Sequence, residues 1–359
     1  MWIGLIAALF ILAAFAIWQT PRSWWQNKVA RIFVIMFHAL GVASFVFLLW
    51  FYHVVDNETI KNIALYIETV YFSFTVFLAI LSILRFAIAY NLKDKKTSKV
   101  YRFVKNGNKF FTLVAILTIL FLIPGIYNAN TLVTKKYNIE ITNAQKMKVA
   151  FVSDLHVGAG ATSKILEKMV NMINEMNADM LLIAGDVSDS SSTERDLENL
   201  ATSLSQIKTK YGIYYCEGNH EKESYYDAEP YLKKAGVTCL HNQDITLPNG
   251  VVLVGMCDKR NKSVSEIKKD KNDDAPCIVL QHRSVGYKKL SKDADLVVSG
   301  HTHGYQYPFL ALTGPFVRDM SYGIKKYGKM NAIVSSGVGM WGYRAKWPSK
   351  NEVVEIDIN

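Results

Sequence analysis

Four long apolar stretches dominate the first 130 residues of this 359-residue chain, at residues 1–18, 33–55, 66–90 and 110–127. Each is near the roughly 20 residues that carry an α-helix across a bilayer. A backbone in lipid has no water to bond, so such stretches are confined to helices. One of them alone would suit a core helix or a signal peptide; four in succession do not. The first lacks a basic n-region, so a retained span is expected rather than a cleaved leader. The chain is therefore predicted to hold a four-helix, all-α transmembrane region over residues 1–128. A linker or early strand follows over 129–146, and a water-facing domain over 147–359.

Charge divides at the same place. Residues 1–148 carry 16 Lys/Arg and 5 Asp/Glu, whereas the remainder carries 25 and 26. The net charge of +10 thus belongs to the flanks of the spans. The folded domain lacks the basic surface that nucleic-acid binding needs. The first connection between spans holds Arg22, Lys28 and Arg31, and the third holds Lys93, Lys95, Lys96, Lys99, Arg102, Lys105 and Lys109 against Asp94. The second is short and acidic, with Asp56 and Glu58 against Lys61. The positive-inside rule places the first and third in the cytoplasm and the C-terminal domain outside. The competing reading is a membrane-surface enzyme that uses the basic third connection to grip anionic lipid from the cytoplasm. It requires a missed or re-entrant segment, for which Pro124 marks a place. His38, Glu68 and Arg85 are ionisable groups within apolar stretches, where function or snorkelling toward the span ends is expected. Cys216, Cys239, Cys257 and Cys277 form no CxxC pair. They read as buried thiols, with a disulfide open to them in an oxidising space.

The second half carries five short runs of metal-type ligands: Asp154-Leu155-His156, Gly185-Asp186, Gly218-Asn219-His220, His282, and Gly300-His301-Thr302-His303-Gly304. Five of the eight histidines lie in these runs, and each run closes an apolar stretch with the look of a β-strand. Loops at strand ends that converge on one point are how an α/β scaffold builds a site. Strands are predicted over 148–153, 179–184, 213–216, 237–240, 251–256, 277–281, 294–299, 333–336 and 353–358. Residues 165–177 repeat apolar residues at helical spacing, and helices are also expected over 193–207 and 228–234. An early βαβα rhythm followed by strand-rich sequence predicts an α/β domain of two packed sheets with helices outside. Mixed oxygen and nitrogen ligands favour manganese, iron or zinc over calcium. Any one run alone is weak evidence, since Asp and Gly are ordinary turn residues. The ordered set of five is specific.

Those five runs resemble the ordered motifs of the calcineurin-like metallophosphoesterase superfamily, and the apolar N-terminus makes its bacterial membrane-associated branch the nearest likeness. The resemblance implies a two-sheet β-sandwich flanked by helices and two divalent cations, manganese before zinc or iron. One would be held by Asp154, His156, Asp186 and His303. The other would be held by Asp186, Asn219, His282 and His301. His220 would not bind metal but would face the phosphate and its leaving group, with Asp186 and His220 as the catalytic pair. Gly304 is followed here by Tyr305 and Gln306, where relatives often have a second glycine. Tyr305, Gln306 and Tyr307 are therefore expected to narrow or line a substrate cleft. Phe309, Leu310 and Leu312 would extend it as core packing or as a wall for a lipid tail. Trp341, Tyr343 and Trp347 are candidates for the same cleft or for the membrane interface.

Two cations of this kind polarise a phosphate ester and make hydroxide available from water. The expected activity is metal-dependent hydrolysis of a phosphoester in a lipid-linked substrate. Its partners would be an amphiphilic phosphate-containing molecule and the bilayer of a bacterial cytoplasmic membrane, with no nucleic acid and no obligate protein partner. The alternatives are a UDP-2,3-diacylglucosamine pyrophosphatase of lipid A synthesis, which needs a cytoplasmic site, and a non-catalytic membrane-bound scaffold.

Overall fold

The computed structural model describes residues 14–50, 54–258, 263–268, 274–304, 306 and 318–359. The chain divides into two compact units, residues 1–52 with 60–125 and residues 53–59 with 126–359.

The first unit is built on α1 (Lys28–Trp50), α2 (Glu58–Asn91) and α3 (Gly107–Ala129). Among the described residues these three are long and apolar enough to cross a membrane. The fourth expected span, residues 1–18, lies mostly outside the described residues. At 34 residues, α2 measures about 51 Å by helical rise, longer than a hydrocarbon core. Phe74, Leu78, Phe110, Phe111 and Val114 pack among themselves. Large apolar residues such as Phe33, Ile83, Phe86 and Ile123 point outward, which suits lipid and not water. α3 continues as helix through Pro124 to Ala129, so the re-entrant break does not form. The ionisable residues are tied locally. His38 Nδ1 lies 3.1 Å from the Tyr71 hydroxyl, Glu68 accepts from Ser44 at 3.1 Å, and Arg85 donates to the Val104 carbonyl at 2.6 Å.

The second unit contains two six-stranded sheets. In chain order the strands are β1 (Leu132–Ile139), β2 (Met147–Val152), β3 (Met180–Ala184), β4 (Ile213–Cys216), β5 (Val237–Cys239), β6 (Gln243–Thr246), β7 (Val252–Met256), β8 (Cys277–Gln281), β9 (Leu296–Ser299), β10 (Gly323–Tyr327), β11 (Met330–Val334) and β12 (Asn351–Ile358). One sheet runs β1-β12-β2-β3-β4-β5 and the other β10-β11-β9-β8-β7-β6. β2 to β5 are parallel neighbours. Two of their crossovers carry the helices α4 (Ser163–Met176) and α5 (Glu194–Leu204). α5 begins with a reciprocal capping box between Thr193 and Asp196, which satisfies helix-end N–H groups that would otherwise lack partners.

Strand alternation sorts the core into layers. Phe151, Leu182, Leu253, Leu280, Val298 and Ile356 pack between the sheets. Val152, Leu181 and Ile183 face the other way, onto Leu166, Met169, Ile173, Leu197 and Leu200 of the helices. Burial on both faces explains why β3 reads as an unbroken apolar run. Residues 132–139, inside the segment expected to be linker or early strand, form β1, paired in parallel with β12.

Candidate metal centre

The runs of ligand-type residues leave the sheets where the parallel strands end. β2 runs into Asp154 and His156, β3 into Asp186, and β4 into Asn219 and His220. From the other sheet, β8 runs into His282 and β9 into His301 and His303. Two clusters result, each mixing both sheets: Asp154, His156 and His303, and Asp186, His282 and His301.

The backbone is bent to make this convergence. Asp154, His156, Asp186, His301 and His303 all have positive φ, between 47° and 73°. Only three other described non-glycine residues do, all asparagines, the type that tolerates this region best. A left-handed aspartate or histidine costs on the order of 1–3 kcal/mol, and such strain clusters at functional sites. Glycine is required next to it: a Cβ on Gly218 would collide with Asp186 Oδ1 and its backbone nitrogen.

Asp186 stands between the clusters. Its Oδ1 accepts the backbone N–H groups of Asn219 at 2.8 Å and His220 at 2.9 Å. Its Oδ2 lies 3.0 Å from His282 Nε2 and 3.8 Å from His156 Nε2. Around His282 Nε2 also stand Asn219 Oδ1 and His301 Nδ1, each at 3.2 Å. On the other side, His156 Nε2 and His303 Nε2 face each other at 3.2 Å, with Asp154 Oδ1 3.5 Å from the latter. Both Asp154 carboxylate oxygens also accept the His301 N–H, each at 3.0 Å. The sequence-predicted ligands thus all meet in one place.

Protonation shows what the donor sets lack. Burial disfavours a charged His282, but Asp186 beside it outweighs this and pushes the imidazole up to about 10. Burial likewise opposes the Asp186 carboxylate, yet His282 holds it well below the usual range. His301 is driven down to about 2 by burial and by the charges of His282 and Arg283. His303 is held well below its ordinary value by burial and by His156. Each cluster therefore pairs an imidazole whose pKa is pushed up with one whose pKa is pushed down, their nitrogens facing each other beside a carboxylate. A cation between them would take the lone pairs of both, so the residues fit a divalent metal.

Several residues of the site were not singled out from sequence. Asp189 lies 2.9 Å from His156 Nδ1, behind the ring. Asp189 and its neighbours raise the His156 pKa against the effect of burial. Glu221 accepts the Val187 N–H at 2.7 Å and the Gly218 N–H at 3.0 Å. Burial and the nearby Asp186 push it up to about 8. Both follow a recognised ligand by only two or three residues, and that proximity was their one signal. His220 leans on Trp341, ring centroids 4.9 Å apart, and its Nδ1 lies 2.9 Å from Glu223 Oε2. Gln306, expected at the cleft, is instead buried. Its amide nitrogen donates to the Trp341 and Tyr343 carbonyls, because a primary amide offers the donors that this turn of backbone needs. Tyr305, Tyr307, Phe309, Leu310 and Leu312 lie outside the described residues.

Two mixed sheets flanked by helices, with paired imidazole–carboxylate clusters at their strand ends, define a metal-dependent phosphoesterase. Residues 147–305 match the family model described as calcineurin-like phosphoesterase. An uncharacterized metallophosphoesterase of Campylobacter jejuni is 28% identical over 346 residues, covering 91% of this chain and 89% of its own. Another, of Helicobacter pylori, is 30% identical over 226 residues, 59% of this chain and 60% of its own. A putative metallophosphoesterase of Caenorhabditis elegans is 28% identical over 311 residues, 78% of this chain and 64% of its own. The chain thus spans about six tenths of the last two proteins. These relatives come from an animal as well as from bacteria, so the likeness does not narrow to a bacterial branch.

Proposed function

We propose that the chain is a multi-pass membrane phosphoesterase that hydrolyses a lipid-linked phosphate on the extracytoplasmic face of a bacterial cytoplasmic membrane. The observation that carries the chemistry is the paired cluster, with Asp186 Oδ2 within 4 Å of an imidazole from each half. Asp154, His156 and His303 would hold one divalent cation, and Asp186, Asn219, His282 and His301 the other, with Asp186 common to both. Manganese suits this mixed oxygen-and-nitrogen set. When bound, such cations supply Lewis acidity and lower the pKa of water. His220, beside the His156 ring at 5.2 Å and braced by Glu223, is placed to give a proton to the leaving oxygen.

A short connection supports this reading of the sidedness. Asp56 lies 3.5 Å from Arg195 and 3.3 Å from Thr193, and Glu58 accepts from the Ser163 hydroxyl at 2.8 Å. The acidic connection is therefore bound, through Asp56 and Glu58, to helices of the catalytic unit. α2 starts at Glu58 and ends at Asn91, so one crossing separates this connection from the basic residues 92–109. With the basic stretch in the cytoplasm, the docked side is external. A tethered site of this kind suits a head group emerging from lipid and argues against a cytoplasmic nucleotide–lipid pyrophosphatase.

The test is a substrate panel offered to purified, manganese-loaded protein: phosphatidyl lipids, polyprenyl phosphates, UDP-linked acyl sugars and a generic phosphodiester. Hydrolysis should fall on the order of 10³-fold or more in Asp186→Ala. Hydrolysis of nothing in the panel would leave a binding scaffold. A reporter fused after Asn359 should register outside the cytoplasm; a cytoplasmic signal would overturn the sidedness.

A further inference from the structure

The rim of the second cluster carries two guanidinium groups that the chemistry above does not use. Arg283 follows His282 directly. Its Nε and Nη2 are held by the two oxygens of Asp258, which leaves Nη1 directed at the centre, 3.3 Å from His301 Nε2. Arg318 belongs to a distant stretch of chain whose backbone is bonded to the same rim, and its charge acts on His301. The Asp319 N–H donates to the Ser284 carbonyl at 3.1 Å, and Asp319 Oδ2 accepts the Tyr287 N–H at 2.7 Å. Two residues on, the Ser321 carbonyl accepts from Thr302 Oγ1 at 2.5 Å. The Arg318–Ser321 segment is thus stitched to the loop after β8 and to the loop after β9, the two loops that carry His282 and His301.

Arg318 is half-buried and makes no hydrogen bond or ion pair with another described residue. Burial and the charge of Arg283 both act against its protonated form, while Asp154 favours it. Arg283 has Asp258; among the described residues Arg318 has no carboxylate partner. Two like charges fixed at the edge of a centre that itself takes cations are unfavourable unless an anion enters between them. The guanidinium fork matches phosphate oxygens in geometry as well as charge. The opposite edge is of another kind: His220 against the Trp341 ring.

We propose that Arg283 and Arg318 form a subsite for a second phosphoryl group, adjacent to the phosphorus under attack, and that the substrate is a diphosphate ester. Its non-scissile phosphate binds on the arginine edge and its organic portion lies toward Trp341. The inference rests on the phosphoesterase reading of the metal centre and adds the substrate class to it.

Calorimetric titration of the full-length, metal-loaded chain with α,β-methylene-ADP and with AMP tests the subsite apart from turnover. Wild type should bind the diphosphonate more tightly than the monophosphate by about tenfold, as charge-assisted bidentate contacts would give. Arg318→Gln should bring the preference close to unity, Arg318→Lys should restore part of it, and Arg283→Gln should lower it as well. Metal content and melting temperature are read for each variant. If Arg283→Gln loses metal, Arg318→Gln decides, since Arg318 bonds to no ligand. Equal affinity for the two nucleotides in wild type, or a preference retained in Arg318→Gln, overturns the proposal. A chain that shows the preference yet hydrolyses no ester would keep the subsite and lose the phosphoesterase reading instead.

Discussion

The two halves of the candidate metal centre use the same chemistry and differ in what stands behind and in front of it. In the half formed by Asp154, His156 and His303, the three residues are 0%, 0% and 7% exposed, and a buried carboxylate, Asp189, backs His156. In the half formed by Asp186, His282 and His301, His282 Nδ1 donates to a backbone carbonyl, that of Ala184, at 2.8 Å. His301 is only partly buried and meets Arg283 at the rim. A closed half with a charged backing is built to retain its ion, and a half open to cationic arginines is built to meet an anion. One ion should therefore be structural in its persistence and the other exchangeable, although both serve one reaction.

The largest expected effect separates the halves directly. His156→Ala should cost on the order of 10³-fold in turnover and also lower the melting temperature, because it opens a cavity and leaves Asp189 buried without its partner. His301→Ala should also lose most turnover while the melting temperature moves far less. Metal analysis after graded chelation should show the closed half emptying last in wild type; the reverse order would break the comparison. Next in size, Asp189→Asn keeps the shape but removes the charge that raises His156. A loss of on the order of 10–100-fold in affinity is expected for one ion, with the other unmoved.

A smaller effect tests the protons. His156 and His282 both have raised pKa values in the folded chain. The stability they contribute is therefore fully present below the unfolded value near 6.5 and is lost as pH rises through the folded values, for His282 about 10. The metal-free chain should lose stability over that window. Because a metal-ligating imidazole must be neutral, loading at pH 7 should release a proton from His282, whose pKa is about 10. Calorimetry in buffers of different ionisation enthalpy measures this. Release of none would mean that the histidines are already neutral.

The ligands were legible because each ends an apolar run that could be little but a central strand. The strands that escaped are instructive. β6 and β10 had no apolar signal, and β1 was ambiguous; all three lie at sheet edges. Edge strands expose one row of backbone groups and carry polar and charged residues that discourage further pairing. Lys135 and Lys136 on β1 and Lys325 and Lys326 on β10 fit that use. Their pairing depends on partners far away, as β1 depends on β12 some 220 residues later. Asp189 was hidden for a different reason: an aspartate after a turn resembles an ordinary capping residue until the histidine behind which it sits is placed. Arg283 and Arg318 lie 35 positions apart on separate loops, and only the stitching through Ser284, Asp319, Thr302 and Ser321 makes them neighbours.

The smallest expected effect concerns the edge that both halves share. Glu223 is half-exposed, and its Oε2 lies 2.9 Å from His220 Nδ1. An exposed pair of this kind contributes at most about 1 kcal/mol, so Glu223→Gln should leave the melting temperature almost unchanged. The glutamine oxygen still accepts from Nδ1 and preserves the ring's orientation, so turnover should fall by less than about tenfold. If His220 gives up a proton to the leaving oxygen, His220→Gln should cost on the order of 10²-fold or more in turnover with metal content unchanged. Turnover near that of wild type in His220→Gln would place the proton donor elsewhere at the centre.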